Sequence, residues 1–186
     1  MIKNLNHKKL SKKLSYILRH HPEKFGLIID EYGFTDINHL LNTINSEINL
    51  YKVTIEDINE MLNKSTKKRF EIIGDKIRAM YGHSKTQNII YEKAVPPKIL
   101  YHGTAKRFVT SIKEVGLLSM SRKYVHLSVN KQLAKEVGIR HDHRTPIILT
   151  VNAEEAYQNG VQFYKASDKI WLTTQVPYTY IDITNS

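Results

Sequence analysis

The fold of the first half of this chain is decided by residues 69–81, which read RFEIIGDKIRAMY. Residues 69–73 and 76–81 contain β-branched and aromatic side chains, and the dipeptide Gly74-Asp75 between them is a turn signal. The stretch therefore predicts a β-hairpin.

Three short helices are predicted before that hairpin. Residues 11–20 carry apolar side chains at helical spacing, and Pro22 ends the pattern. Thr35 is the predicted N-cap of a helix that runs to residue 44, and Thr54 is the predicted N-cap of a third helix. Short helices followed by a hairpin favour a winged-helix lobe, a fold that often binds nucleic acid but does not establish that function.

A domain boundary is predicted at Pro96-Pro97, because neither proline continues a helix or a β-ladder. The chain after this pair alternates short strands with helices, which is an α+β arrangement. We therefore predict an α+β protein of two lobes, residues 1–95 and residues 98–186.

The elements of the second lobe are short. The predicted strands are residues 99–101, 125–127, 147–151, 170–172 and 178–183. The predicted helices are residues 108–115 and 131–137. A glycine follows each of them, and we expect Gly138 to end the second helix.

Composition excludes several classes of site. The chain has no cysteine, which excludes a disulfide scaffold, an iron–sulfur cluster, a thiolate zinc site and a cysteine nucleophile. Its 28 Lys+Arg against 18 Asp+Glu give a net charge of +10, concentrated in residues 101–150 with nine basic and three acidic side chains. A concentrated positive charge favours a polyanionic partner such as nucleic acid, with a solvated basic face as the alternative.

Apolar segments are short throughout the chain. The stretch 147–151 is far too short to cross a bilayer, and the first ten residues contain no apolar signal-peptide core. We expect a cytoplasmic monomer that does not associate with membranes.

Basic side chains near the first helix and on the hairpin are candidate phosphate ligands. Arg19 offers a guanidinium fork, and His20 carries an imidazole, the side-chain type that changes charge near neutral pH. Both residues can instead cap the C-terminal carbonyls of the helix. Arg69 ends a run of three basic residues, and both Arg69 and Arg78 fit an ordinary solvated hairpin equally well.

Polar side chains cluster at the predicted strands of the second lobe. His102-Gly103-Thr104 ends one strand, where glycine lets a ligand approach the main chain and its neighbours supply hydrogen bonds. A plain strand-to-helix turn explains the same residues. His126 and Ser128 alternate onto one face of another strand, opposite its apolar side.

Residues 138–144 predict a polar, basic loop that contains Arg140. Its histidines do not match the spacing of an H-E-x-x-H zinc helix, so we predict no metal site. The chain also lacks G-x-G-x-x-G, Walker and G-x-S-x-G motifs, which argues against a Rossmann dehydrogenase, a P-loop kinase and a serine hydrolase.

Residues 10–22, which read LSKKLSYILRHHP, begin a series of short motifs that extends over nearly the whole chain. The later motifs are Gly26-Leu27, Asp30, Gly33, Lys68-Arg69-Phe70, Ile77-Arg78-Ala79, Gly82-His83-Ser84, Leu100-Tyr101-His102-Gly103-Thr104, Gly116-Leu117, Arg122, Val125-His126-Leu127-Ser128, Val137-Gly138-Ile139-Arg140 and Trp171-Leu172-Thr173. In this order they strongly resemble the RNA 2′-phosphotransferase family (the KptA type).

The resemblance implies an N-terminal winged-helix lobe that binds RNA and a C-terminal ADP-ribosyltransferase-like lobe that binds NAD⁺. It implies an enzyme that removes an internal 2′-phosphate from spliced tRNA and consumes NAD⁺ as co-substrate, through a 2′-phospho-ADP-ribosyl intermediate. The implied products are 2′-hydroxyl RNA, nicotinamide and ADP-ribose 1″,2″-cyclic phosphate.

The same resemblance implies the site residues. The implied catalytic residues are Arg19, His20, Arg69 and Arg122. The residues implied to bind NAD⁺ are His102, Gly103, Thr104, His126, Ser128 and Arg140.

The chain departs from the family pattern at two places. Met80-Tyr81 stand where the family commonly has Asn-Gln. Val176 occupies the region in which many ADP-ribosyltransferases carry a glutamate. That glutamate helps a neutral acceptor, whereas a phosphate is already anionic.

Two alternatives stay open at this point. One is an ADP-ribosyltransferase that modifies terminal phosphates of nucleic acid with the same site. The other is a non-catalytic nucleic-acid-binding module, which would keep the basic surface without any need for His102 or NAD⁺.

Overall fold

The structure is a computed structural model, and it describes residues 6–47, 52–84, 87–142 and 145–183. The chain divides into two compact units, Met1–Ile90 and Tyr91–Ser186. This division lies shortly before Pro96-Pro97, where the sequence predicts a boundary. Both units mix helices with antiparallel sheets, so the predicted α+β class is confirmed at this level.

The first unit packs helices against a small sheet. Its elements are α1 (His7–His20), a 3₁₀ turn (Pro22–Phe25), β1 (Phe34–Asp36), α2 (Ile37–Glu47), α3 (Ile55–Lys64), β2 (Phe70–Ile73) and β3 (Lys76–Ala79). The antiparallel sheet has the order β1-β3-β2, and Gly74-Asp75 joins its two later strands. The predicted hairpin is therefore confirmed.

One apolar core holds this unit together. The buried side chains of α1 are Leu10, Leu14, Ile17 and Leu18. They belong to the same cluster as buried residues of the other helices and of the sheet, such as Leu40, Ile58 and Ile77. Burial of a side chain of this size stabilises a fold by about 1.5–3 kcal/mol, so the four buried residues fix the position of α1 and of its end.

The helix caps differ in one place from the prediction. Thr54 forms the predicted capping box with Asp57. Thr35, however, is not the N-cap of α2, because it lies in β1 and pairs with Ile77. Asp36 takes that role, since its carboxylate accepts a hydrogen bond from the backbone N–H of His39 at 2.6 Å.

The second unit is built on a larger antiparallel sheet. Its strands are β4 (Ile99–Thr104), β5 (Leu117–Leu118), β6 (Val125–Ser128), β7 (Ile147–Asn152), β8 (Phe163–Lys165), β9 (Ile170–Thr173), β10 (Gln175–Val176) and β11 (Ile181–Ile183). Its α-helices are α4 (Val109–Val115), α5 (Lys131–Asp142) and α6 (Ala153–Gln158). Six strands pair in the order β11-β7-β4-β6-β9-β8, and β10 pairs with β5.

The core of this unit includes Leu127, Trp171 and Val176. Val176 is completely buried and pairs with Leu117 in the two-stranded sheet. Val176, which we predict to lie in the region where many ADP-ribosyltransferases carry a glutamate, is therefore a packing residue of the core.

Two predicted boundaries in this unit are wrong. Residues 178–180 form a 3₁₀ turn rather than a strand, because the N–H of Tyr180 bonds to the carbonyl of Pro177 and delays pairing until β11. Gly138 does not end α5, which continues to Asp142. A Cβ at this glycine would lie 2.5 Å from the Cβ of Pro146, so glycine serves close packing here rather than a helix end.

The predicted loop over residues 138–144 is therefore also wrong in its first five residues. Residues 138–142 belong to α5, and residues 143 and 144 lie outside the described part of the chain. Among the described helices, none is long and apolar enough to cross a membrane.

Candidate active site

The C-terminal end of α1 carries two of the predicted site residues. Arg19 and His20 are the last residues of this helix and are half-buried. The helix ends there because the N–H of His21 bonds back to the carbonyls of Tyr16 and Ile17, and Pro22 follows. The unsatisfied carbonyls at a helix C-terminus carry partial negative charge, which stabilises cationic side chains at this position.

Ser84 binds the same helix end from a distant part of the chain. Its backbone N–H donates to the carbonyl of Arg19 at 2.9 Å, and its Oγ lies 3.2 Å from that carbonyl oxygen. Ser84 Oγ also lies 2.9 Å from Nδ1 of His20. The segment after the hairpin therefore satisfies a terminal carbonyl of α1 and contacts the imidazole beside it.

Aromatic rings and a glycine surround the guanidinium of Arg19. Its Cζ atom lies 5.1 Å from the ring centroid of Tyr81 and 5.8 Å from that of Phe70, both within cation–π range. Gly82 has φ +89°, and a Cβ there would lie 3.2 Å from Nη1 of Arg19. These contacts hold the charged group in one place beside His20.

His83 stands between Gly82 and Ser84 in the segment that follows the hairpin. It is buried, and its Nε2 would be 3.6 Å from a Cβ at Gly33. Burial lowers the pKa of His83 from 6.5 to about 3, with a smaller effect from nearby positive charge. The charged neighbours are Arg19, His20 and Arg78. His83 is therefore neutral at physiological pH, and the electrostatic environment of this segment favours anions.

The two arginines of the hairpin have different surroundings. Arg78 forms an ion pair with Glu71, lies 4.5 Å from the ring centroid of Phe34 and donates to the carbonyl of Tyr32. Arg69 lies at the open end of the hairpin, where its carbonyl accepts from Met80. No acidic side chain among the described residues forms an ion pair with Arg69. Arg78 is thus a structural residue, while Arg69 can bind an anion.

Two histidines of the second unit are held in one tautomer each. His102 lies on β4, and its Nδ1 is 2.9 Å from the carbonyl oxygen of His126 on β6. Nδ1 of His126 is 3.0 Å from the carbonyl oxygen of Tyr124. A carbonyl oxygen only accepts, so both Nδ1 atoms carry the proton. The neutral form of each ring therefore has its lone pair on Nε2.

The other predicted residues on these strands are buried. Thr104 and Ser128 place hydroxyl groups in the interior of the unit. Gly103 was expected to admit a ligand to the main chain, but the space beside it is filled by α5. A Cβ at Gly103 would lie 2.0 Å from the carbonyl oxygen of Ala134, so the glycine allows helix and sheet to touch.

Arg122 follows a strained turn. Its backbone N–H donates to the carbonyl of Ser119, and Met120 within this turn has φ +48°, an uncommon conformation for a residue other than glycine. Arg122 is half-buried. Arg140 lies on α5 rather than in a loop, and its side chain is outside the described part of the structure.

The structure thus places the predicted residues in two groups. Arg19, His20 and Arg69 belong to the first unit, where Phe70 and Tyr81 connect the hairpin end to Arg19. Arg122 and the residues implied to bind NAD⁺ belong to the second unit. Within the described residues, no three histidine or acidic side chains are arranged to hold a metal ion.

Sequence reasoning did not predict that three further residues lie beside Arg19 and His20. These are Tyr81, Gly82 and Ser84. The sequence signals for them are the motif Gly82-His83-Ser84 and the departure at Met80-Tyr81, but nothing local in the sequence connects that segment to the end of α1.

Comparisons with known proteins cover almost the whole chain. Residues 5–175 match the family described as RNA 2′-phosphotransferase, Tpt1 / KptA family. A protein of Acetivibrio thermocellus named probable RNA 2′-phosphotransferase is 49% identical over 95% of this chain and 97% of its own length. Proteins with the same name from Bacillus thuringiensis subsp. konkukian and Escherichia coli O9:H4 are 47% and 40% identical. The former covers 94% of both chains, and the latter covers 92% of this chain and 93% of its own.

Proposed function

This chain belongs to the RNA 2′-phosphotransferase family, and we propose that it removes a 2′-phosphate from RNA. The observation that carries the proposal is the arrangement at the end of α1, where Arg19 is held by aromatic contacts beside His20. A constrained guanidinium next to a titratable imidazole is suited to phosphate binding with proton transfer.

The proposed substrate is an RNA with an internal 2′-phosphate, such as a spliced tRNA. The first unit would be the winged-helix lobe that binds it, which is consistent with three helices packed on a three-stranded antiparallel sheet. The second unit would be the ADP-ribosyltransferase-like lobe. Its six-stranded antiparallel sheet carries His102 on β4 and His126 on the adjacent β6.

The proposed phosphate ligands are Arg19, Arg69 and Arg122. A phosphate monoester carries about −1.5 to −2 charges at neutral pH, and guanidinium groups stay charged and bind two of its oxygens at once. A donor held in position before the reaction, as Arg19 is by its aromatic neighbours, would stabilise charge on the phosphoryl oxygens without reorganising. Because the phosphate is already anionic, it needs no base to act as a nucleophile.

His20 is the proposed acid or base of the reaction. When a hydroxyl group of the acceptor attacks the phosphorus, the bond to the RNA 2′-oxygen breaks. The attacking hydroxyl must lose a proton and the leaving 2′-oxygen must gain one, and an imidazole at this place can transfer it. General acid–base catalysis by a positioned side chain contributes about 10²–10⁴-fold to a rate.

NAD⁺ is the proposed acceptor of the phosphate, and the polar groups of the second unit fit it. His102 and His126 each donate Nδ1–H to a backbone carbonyl, which leaves the lone pair of Nε2 as an acceptor, and Thr104 and Ser128 carry buried hydroxyl groups. Such groups match ribose hydroxyls and a carboxamide, and Arg140 would add positive charge for a pyrophosphate. When bound, NAD⁺ supplies an electrophilic ribose carbon with nicotinamide as the leaving group. The proposed role of the residues of this chain is to bind and orient it.

The test uses an RNA oligonucleotide with a single internal 2′-³²P phosphate, incubated with and without NAD⁺. We expect loss of label from the RNA only when NAD⁺ is present, and recovery of the label in a small molecule. Arg69→Ala should abolish this transfer, whereas the matched control Lys68→Ala, which changes the exposed neighbour, should retain it.

Three other outcomes would change the proposal. Loss of label without NAD⁺ would support removal of the 2′-phosphate from RNA but would contradict the role of NAD⁺ as the acceptor. Modification of terminal phosphates alone would favour a different ADP-ribosyl acceptor. Neither transfer nor NAD⁺ binding would leave a nucleic-acid-binding module.

A further inference from the structure

The contact between Ser84 and His20 joins residues 64 positions apart in the chain. Ser84 Oγ is 2.9 Å from Nδ1 of His20 and 3.2 Å from the carbonyl oxygen of Arg19. A hydroxyl group has one proton to donate and lone pairs to accept with. The direction of the two hydrogen bonds therefore decides which nitrogen of His20 carries its proton.

The carbonyl of Arg19 settles that direction, because a carbonyl oxygen cannot donate. The Ser84 hydroxyl donates its proton to this carbonyl, and its lone pair then faces Nδ1 of His20. Nδ1 must be the donor in that contact, so it carries a hydrogen. The opposite arrangement would leave two oxygen lone pairs facing each other at 3.2 Å.

We propose that Ser84 is a positioning residue that holds His20 as the Nδ1–H tautomer, so that Nε2 is the nitrogen that exchanges the proton with the RNA 2′-oxygen. This inference rests on the proposed function for its catalytic consequence. The assignment of the tautomer rests on the hydrogen bonds alone.

The consequence follows from the two charge states of the ring. In the imidazolium form both nitrogens carry hydrogen, and in the neutral form only Nδ1 does. Nδ1–H therefore stays bonded to Ser84 in both states, and the proton that moves is the one on Nε2. The same hydrogen bond restrains the rotation of the ring, which keeps Nε2 in a fixed direction.

Helix capping alone does not explain the hydroxyl of Ser84. Its backbone N–H already donates to the carbonyl of Arg19 at 2.9 Å, and alanine would retain that bond. Ser84→Ala therefore removes the contact with His20 while it leaves the main cap of α1 in place. Ser84→Ala thus tests the contact with His20 independently of the cap of α1.

The first measurement is the tautomer itself. The protein is labelled with ¹⁵N-histidine, and long-range ¹H–¹⁵N spectra are recorded at a pH at which His20 is neutral, with its signals assigned by their loss in His20→Gln. We expect the Nδ1–H pattern for His20 in the unmodified protein and a gain of the Nε2–H pattern in Ser84→Ala. The control Ser46→Ala removes an exposed hydroxyl that also donates to a carbonyl but touches no histidine, and it should change nothing.

The second measurement is the rate of 2′-phosphate removal. We expect Ser84→Ala to lower kcat by about 10–100-fold with KM for RNA within about twofold, because proton transfer is impaired while phosphate binding is kept. Ser84→Thr keeps the hydroxyl on the same carbon and should restore both the rate and the Nδ1–H pattern.

Three results would overturn the proposal. They are an Nε2–H tautomer in the unmodified protein, an unchanged tautomer in Ser84→Ala, and full activity of that variant. If the unmodified protein transferred no phosphate at all, the proposed function would fail, and the spectra would still decide whether Ser84 sets the tautomer of His20.

Discussion

The ring of Tyr81 lies 5.1 Å from the guanidinium carbon of Arg19. Tyr81 belongs to the pair Met80-Tyr81, one of the two places where we interpret the sequence as departing from the family pattern. The departure thus has a physical role here, because the aromatic face holds the charge of a predicted phosphate ligand. A cation–π contact of this kind contributes about 0.5–2 kcal/mol.

Replacement of Tyr81 should affect the rate more than the fold. We expect Tyr81→Ala to lower kcat/KM for 2′-phosphorylated RNA by about 3–30-fold, which corresponds to the loss of that contact. Tyr81→Phe keeps the ring and should stay within about twofold of the unmodified rate. Steady-state kinetics test this, with the exposed Tyr157→Ala as a control, and equal rates for the alanine and phenylalanine variants would contradict the role of the ring.

A side chain at Gly82 should displace Arg19. Gly82→Ala combines a positive φ of +89° with a Cβ that would lie 3.2 Å from Nη1 of Arg19. Gly160→Ala is the matched control, since its φ is +94° and nothing lies within 4 Å of the added Cβ. Both variants should lose about 1–2 kcal/mol of stability through the backbone, and only Gly82→Ala should lose phosphate transfer.

The two glycine variants are compared by their free energies of unfolding in urea and by their phosphate-transfer activities, measured on the same preparations. Comparable destabilisation with activity lost in Gly82→Ala alone would support the contact with Arg19. Retained activity in Gly82→Ala would show that the guanidinium does not depend on this glycine.

Burial of His83 should make the first unit sensitive to acid. The pKa of His83 is about 3 in the folded chain and 6.5 when it is exposed, so between these values the unfolded state binds more protons. Stability is therefore fully present above pH 6.5 and is lost as the pH falls toward 3. The expected loss between pH 7 and pH 5 is about 2 kcal/mol.

His83→Gln removes this group and should flatten the dependence. The measurement is the free energy of unfolding in urea at pH 7 and pH 5, compared between the variant and the unmodified chain. The variant can be less stable at both values, because only the difference between them reports His83. An equal difference in the two proteins would assign the acid sensitivity to other groups.

The contribution of Arg69 to phosphate transfer should depend on the planar fork of its guanidinium and not only on its charge. Arg69→Lys keeps a positive charge but cannot bind two phosphate oxygens in one plane, so we expect kcat/KM to fall about 10-fold or more. Arg78→Lys loses its paired contact with Glu71 and should instead lower the unfolding temperature. The two variants are compared by kinetics and thermal unfolding, and a fully active Arg69→Lys would reduce Arg69 to a general electrostatic role.

Local patterns predicted the parts of the fold that depend on nearby residues. The hairpin around Gly74-Asp75 and the capping box of Thr54 are both determined within a few positions, and both are confirmed. The N-cap at Thr35 was wrong because β1 pairs it with Ile77, a contact that no local pattern records. The predicted end of α5 was wrong because Gly138 serves close packing against Pro146, which is distant in the sequence pattern that we used, and not the end of the helix.

The same distinction applies to the site. The periodicity of α1 placed Arg19 and His20 at a helix end, which the structure confirms. The surroundings of these two residues come from Tyr81, Gly82 and Ser84, which are distant in the sequence and adjacent only after folding. The position of a side chain along an element was therefore predictable, while its hydrogen-bond partners were not.

The contact of Gly103 with the backbone of α5 has a consequence for how this chain can evolve. A side chain at Gly103 would overlap the carbonyl of Ala134, and Gly138 is confined in the same way by Pro146. A side chain at Gly103 would force α5 away from β4, while one at Gly138 would force α5 away from Pro146, which directly precedes β7. We therefore expect a substitution at either glycine to be tolerated only together with changes in the packing around α5.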